Sequence, residues 1–137
     1  MKNSFYLFTF LSICLVVSGC AAPSTNQDKY YILAHDVTQT TNQLAGCIRF
    51  DNPPTHLSDQ ELIAFCTRRN PRPAQALNRY AVKVVHDNKD AIVLVCSPDG
   101  ANALIEDASC TEEIDRNHWK QPSPCQFTLR LLDACKK

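Results

Sequence analysis

Six cysteines, Cys47, Cys66, Cys96, Cys110, Cys125 and Cys135, limit what this chain can fold into more than any other feature. Successive members are 19, 30, 14, 15 and 10 residues apart. Zinc sites draw on close pairs such as C-x-x-C or H-x-x-x-H, and thiol–disulfide oxidoreductases use C-x-x-C. Neither pattern occurs here. An even set of widely spaced cysteines reads as three disulfides, provided the chain is exported to an oxidising compartment. Each bridge contributes about 2–4 kcal/mol, so together they rival the whole stability of a small domain. Full pairing also leaves no thiol for a cysteine nucleophile.

The N-terminus supplies the export signal. Lys2 gives a positive start, and Phe5 to Val17 is an apolar run of thirteen residues. A membrane-spanning helix needs about twenty, so this run fits the core of a signal peptide. It ends in Val17-Ser18-Gly19-Cys20. That tetrapeptide resembles the lipobox of bacterial lipoproteins: aliphatic, small, small, cysteine. The resemblance implies that residues 1–19 are removed and that Cys20 carries a diacylglyceryl thioether with an acylated N-terminus. Cys14 then lies in the removed segment. More than one acyl chain anchors a protein stably to a bilayer. Residue 21 is Ala rather than Asp, which in lipoproteins of this kind implies the outer membrane of a diderm host, facing the periplasm. Residues 20–28 read as a lipidated tether, whose last eight residues reach at most about 28 Å. A folded domain over 29–137 is therefore expected close to the membrane.

Patterning within 29–137 predicts a single small α+β domain. Tyr30, Leu33, Val37 and Leu44 share a helical stripe over 29–45, weakened by Thr38, Thr40 and Thr41. Residues 47–50 read as a short strand stopped by Asp51-Asn52-Pro53-Pro54. The strongest local signal is a capping box, Ser58 with Glu61, flanked by a staple of Leu57 and Leu62; it predicts a helix over 59–69. Asn70-Pro71 ends that helix, and 71–79 reads as a proline-punctuated loop. Tyr80–His86 and Ala91–Val95, joined by Asp87-Asn88-Lys89-Asp90, read as a hairpin whose second, wholly apolar strand is central in the sheet. Ser97-Pro98-Asp99 looks like a helix start, and Ala101, Leu104, Ile105 and Ala108 complete an i, i+3, i+4, i+7 stripe; a helix over 98–109 follows. Thr111–Pro124 is a polar loop. Phe127, Leu129 and Leu131 alternate with polar residues as a half-buried strand. The expected sheet is mixed, with three to four strands and two or three helices, the last strand returning parallel by a right-handed crossover. A helix over 98–109 would hold Cys96 and Cys110 about 20 Å apart, too far to bridge. The expected pairs are Cys47–Cys66, Cys96–Cys135 and Cys110–Cys125.

Few residues carry a recognisable chemistry. Lys plus Arg and Asp plus Glu both number 14, and losing Lys2 leaves the mature chain at −1. Near-neutrality argues against nucleic acid held by bulk attraction. Only Gly46 and Gly100 follow Cys20, so phosphate-cradling and dinucleotide loops are missing, as are G-x-S-x-G, H-E-x-x-H and S-x-x-K. The four histidines, His35, His56, His86 and His118, are scattered. Glu106, Asp107, Glu112, Glu113 and Asp115 lack the alternation of a calcium loop and read as a solvated face. Arg68, Arg69, Arg72 and Arg79 form a basic counterpart that could face lipid phosphates at tether range. Trp119, the only tryptophan, stands beside His118 in a polar loop. These two are the expected partner-binding residues, because tryptophan is enriched where binding energy concentrates.

The expectation is a non-catalytic, lipid-anchored module that binds another envelope protein and takes no cofactor or metal. Leu94-Val95-Cys96-Ser97-Pro98-Asp99-Gly100, with Ala103-Leu104-Ile105-Glu106-Asp107 and Cys110-Thr111, resembles small lipoproteins of conjugative-transfer or secretion regions. That resemblance implies an accessory of an envelope-spanning machine. A second class is an inhibitor or immunity protein against a secreted toxin or lysozyme, presenting the Trp119 loop. A hydrolase acting on wall or lipid is a third. It would need His118 or His86 in a pocket with carboxylates, and the sequence offers no such arrangement.

Overall fold

The structure of the protein, a computed structural model, describes residues 26–111, 116–117 and 121–136. In chain order the elements are α1 (Asn26–Phe50), α2 (Asp59–Cys66), α3 (Arg72–Ala76), β1 (Ala81–His86), β2 (Ala91–Cys96), β3 (Ala103–Ala108), β4 (Arg116–Asn117) and α4 (Leu131–Ala134). The domain is α+β. Its sheet runs β1-β2-β3-β4 with every pairing antiparallel, so the expected mixed sheet is corrected.

A single helix, α1, replaces the predicted helix and strand over 29–50. Leu33, Val37, Leu44, Cys47 and Ile48 continue one buried stripe straight through Gly46. The space beside Gly46 is open, so the glycine costs helix propensity but provides no reason to stop. Thr40 and Thr41 are buried without penalty, because each hydroxyl donates to a carbonyl one turn back, Asp36 O and Val37 O, both at 2.8 Å. The helix ends as Asn52 turns into the left-handed region at φ 47°, followed by Pro53.

Helix α2 starts as its sequence predicts. The Ser58 hydroxyl accepts from Glu61 N, and Ser58 N donates to Glu61 Oε2 at 2.9 Å, closing the capping box. Leu62, Ile63 and Cys66 enter the core, and Cys66 bridges Cys47 of α1 with Cα atoms 5.3 Å apart. The proline-punctuated stretch after it is not all loop, since Arg72–Ala76 forms the short helix α3. Asp59, in the first turn of α2, accepts from Val84 N at 3.1 Å and so closes part of the free edge of β1.

The hairpin β1–β2 is in the predicted place, with Val84 opposite Val93 and Val82 opposite Val95. All six residues of β2 are buried. One face, with Val93 and Val95, joins Val37, Leu44, Ile63 and Ile105 in the main core beneath the helices. The other face, with Leu94 and Cys96, packs with Ala103, Cys125 and Phe127.

The predicted helix over 98–109 is instead a tight turn and strand β3. Gly100 N donates to Ser97 O at 2.8 Å, and Gly100 sits at φ +72°, a conformation that favours glycine. Asp99 accepts from the Ser97 hydroxyl and from Ala101 N. These bonds close a hairpin loop rather than open a helix. The stretch Ala103-Leu104-Ile105-Glu106-Asp107-Ala108 fits either period; its neighbour decides. An apolar strand buried on both faces needs a hydrogen-bonded partner along each edge, and β3 supplies the second one for β2.

The segment after Gln121 keeps the predicted alternation but not the predicted strand. Phe127, Leu129 and Leu131 are half-buried, while Gln126, Thr128 and Arg130 are exposed. The segment is an extended strap across the second face of the sheet. Near Cys125 it lies beside the start of β3, where Ala103 N donates to Ser123 O at 2.8 Å and Cys125 N to Ala101 O at 3.1 Å. At its far end, beyond α4, Cys135 reaches Cys110 just past the end of β3. Hence the bridges are Cys47–Cys66, as expected, with Cys96–Cys125 and Cys110–Cys135 in place of Cys96–Cys135 and Cys110–Cys125. Six residues of strand separate the two ends of β3 by about 20 Å, so Cys110 and Cys125 stand too far apart to pair. Cys96 and Cys110 are kept apart by the same strand, not by a helix.

Candidate functional site

The expected contact residues His118 and Trp119, and the expected lipidation residue Cys20, lie outside the described residues. What the structure gives for the loop expected to make the contact is its frame. The loop leaves β3 at Cys110 and Thr111 and rejoins described chain at Gln121, four residues before Cys125. Cys110 is tied to the C-terminal end by Cys135, and Cys125 to the central strand by Cys96. Both flanks are therefore fixed, each by its own bridge. Within the loop, Arg116 and Asn117 pair with Glu106 and Ile105 of β3.

Beneath this frame is a feature that sequence reading missed. Glu106 is fully buried. Its carboxylate accepts from Thr128 N at 2.9 and 3.1 Å, from Thr128 Oγ1 at 2.6 Å and from Leu129 N at 2.9 Å. A group with only acceptors suits three donors, so Glu106 pins the strap to the sheet. Lys83 of β1 adds a second pin, donating to Cys125 O at 2.8 Å. Asp107, next along β3, points to the opposite face and is also buried, opposite Val93. The expected solvated acidic face is thus corrected for these two residues. Its other members, Glu112, Glu113 and Asp115, lie outside the described residues. Successive strand residues face opposite ways, so the helical period assumed for this stretch could not have separated their roles.

A second polar cluster ties α1 to the strand ends. Arg49 donates to Asp90 Oδ1 and to Lys89 O, and the Ser109 hydroxyl bridges Asp90 and Ala91 N. Asp87 accepts from Asp90 N and Lys89 N, both at 2.7 Å, and the bond from Asp90 holds its carboxyl below the usual range. Asp99 is lowered in the same direction, first by the Ser97 hydroxyl and then by Ala101 N–H. These carboxyls shape turns; none faces a histidine across a cleft. His35 contacts Gln39 within α1, and His86 contacts the neighbouring Asp87 carbonyl. Among the described residues no group of three or more His, Cys, Asp or Glu could hold a metal ion.

The basic segment divides. Arg68 pairs with Asp51 at 3.1 Å and lies 4.3 Å from the Phe65 ring, so it serves the α1–α2 junction. Arg72 and Arg79 line two shallow grooves between α1 and α3, with Ile32, Asp36 and, in the second, Lys29. A third groove, of about 410 Å³, lies between α2, α3 and β1 and is floored by Ile63, Leu77 and Val82. No described helix is long and apolar enough to cross a membrane. No protein-family model, curated protein or solved structure matches the chain.

Proposed function

We propose that the protein is a membrane-anchored envelope lipoprotein whose domain is a non-catalytic binding module, an accessory of an envelope assembly of the conjugative or secretion kind. The observation that carries this reading is Val17-Ser18-Gly19-Cys20 closing a thirteen-residue apolar run. The acyl chains at Cys20 hold it at the membrane, on the periplasmic face of the outer membrane. Three bridges within one small domain support passage through an oxidising compartment. No cofactor or metal enters the reading, and its ligands are bilayer lipid and an envelope protein, not nucleic acid. The loop bearing His118 and Trp119 is the contact surface for that protein.

A second reading is a periplasmic inhibitor or immunity protein. One observation favours it: separate bridges fix the two flanks of the loop, which presents a contact segment at little entropic cost. Detergent extraction, affinity capture and mass spectrometry separate the two. Recovery within a large membrane assembly, lost on Trp119→Ala, is the expected result; recovery with one small secreted enzyme supports the inhibitor. Cys20→Ser is expected to release the protein from membranes, and its retention there would sink the anchor.

A further inference from the structure

We propose that the domain docks on the bilayer through the first three turns of α1 and the adjoining α3, with Lys29, Arg72 and Arg79 facing anionic phospholipid headgroups. The proposal rests on the lipid anchor at Cys20 and assigns it a membrane-facing surface.

Reach is the first argument. Six residue steps separate Cys20 from Asn26, at most about 22 Å of chain. The 25 residues of α1 span about 37 Å. The start of α1 is therefore held nearer the bilayer than its own length. Arg49, at the other end, bonds Lys89 in the β1–β2 turn and marks the remote pole.

Composition is the second. Ile32 is 65% exposed, on the helix face away from the core, and it borders both grooves between α1 and α3. Tyr31 beside it is 59% exposed. The same grooves carry three cations, Lys29, Arg72 and Arg79, against Asp36, and Asp28, exposed in the first turn of α1, is a second carboxylate on this surface, which leaves it at +1. Exposed apolar side chains ringed by basic ones suit the headgroup boundary of an anionic bilayer. Further along, the exposed positions Gln39 and Asn42 are polar and uncharged. Phe50, 85% exposed beside Arg49, offers a similar pairing at the far end, so the reach of the tether, and not composition alone, selects the end that the anchor holds close.

Amine footprinting of the full lipidated protein tests this. The protein is reconstituted in phosphatidylcholine vesicles and in vesicles with added phosphatidylglycerol, then labelled with an acetylating reagent and mapped by mass spectrometry. Lys29 should label at least about five times more slowly on the anionic vesicles, the factor expected per basic residue at such a surface. High salt should restore its rate. Lys89, exposed at the remote pole, should not change. The double substitution Arg72→Glu/Arg79→Glu should abolish the protection of Lys29 while Lys89 keeps its rate, which reports an intact fold. Equal labelling of Lys29 on both vesicles overturns the docking. So does protection that persists in phosphatidylcholine and at high salt, which would mark a protein contact instead. A chain that neither floats with vesicles nor carries lipid mass on its Cys20 peptide fails the anchor reading, and the docking falls with it.

Discussion

Glu106 shows how little a single residue's type reveals about its role. As one of five acidic residues within ten positions, it reads as solvent-facing. In the fold it is fully buried and holds the strap by two backbone N–H groups and a hydroxyl. A buried carboxylate is stable only with such donors, and removing its charge leaves them poorly satisfied. Glu106→Gln keeps the volume but presents an amide N–H₂ to groups that themselves donate. The expected cost is about 2–3 kcal/mol, read by chemical denaturation at neutral pH. A loss well below 1 kcal/mol would mean that the two disulfides, the Lys83 bond and the backbone bonds near Cys125 hold the strap without Glu106. Ser58 and Glu61 were legible because their partners lie three residues apart; the partners of Glu106 lie 22 and 23 residues away.

At the scale of elements, local signals succeed where the reason for the element is local. Helix α2 carries its own start, and the hairpin β1–β2 carries its own turn and alternation. The Ser58 hydroxyl is the first cause of the lowered Glu61 carboxyl, with the Ser58 N–H second. A carboxyl lowered in the folded state contributes stability above its unfolded value, near pH 4, and that contribution is lost as pH falls through the lowered one. Ser58→Ala should lower Tm by about 4–6 °C at pH 7. The gap from the native protein should shrink below about pH 4, as thermal melts across pH would show. A gap independent of pH would leave the Glu61 half of the box without effect. By contrast the residues of β3 do not by themselves ask for a strand. They satisfy the helical period, and the extended form is selected by the Ser97–Gly100 turn before them and by the demand of β2 for a second hydrogen-bonded edge.

For the whole molecule, the strap and its bridges close the sheet's second face. Cys96–Cys125 and Cys110–Cys135 span 29 and 25 residues of chain, so each restricts the unfolded state by about 3–4 kcal/mol. Cys110→Ser and Cys135→Ser should therefore cost the same in Tm, and the double variant no more than either. Cys110→Ser combined with Cys125→Ser should cost close to the sum of the two, since they break different bridges. Non-reducing peptide maps give an independent check; a Cys110–Cys125 peptide would contradict the strap.

The sequence by itself determined that all six cysteines are bonded, the Cys47–Cys66 bridge, the α+β class, helix α2 and the first hairpin. Each of these depends on composition or on residues close together in sequence, where period, capping and turn chemistry act directly. Only the tertiary structure decided that α1 runs through Gly46, that 103–108 is a strand, and which of Cys125 and Cys135 meets Cys96. Those outcomes follow from burial and hydrogen bonding between distant segments. A central strand must be paired on both edges, a buried carboxylate must find donors, and a bridge forms only where the fold brings two Cα atoms within about 7 Å.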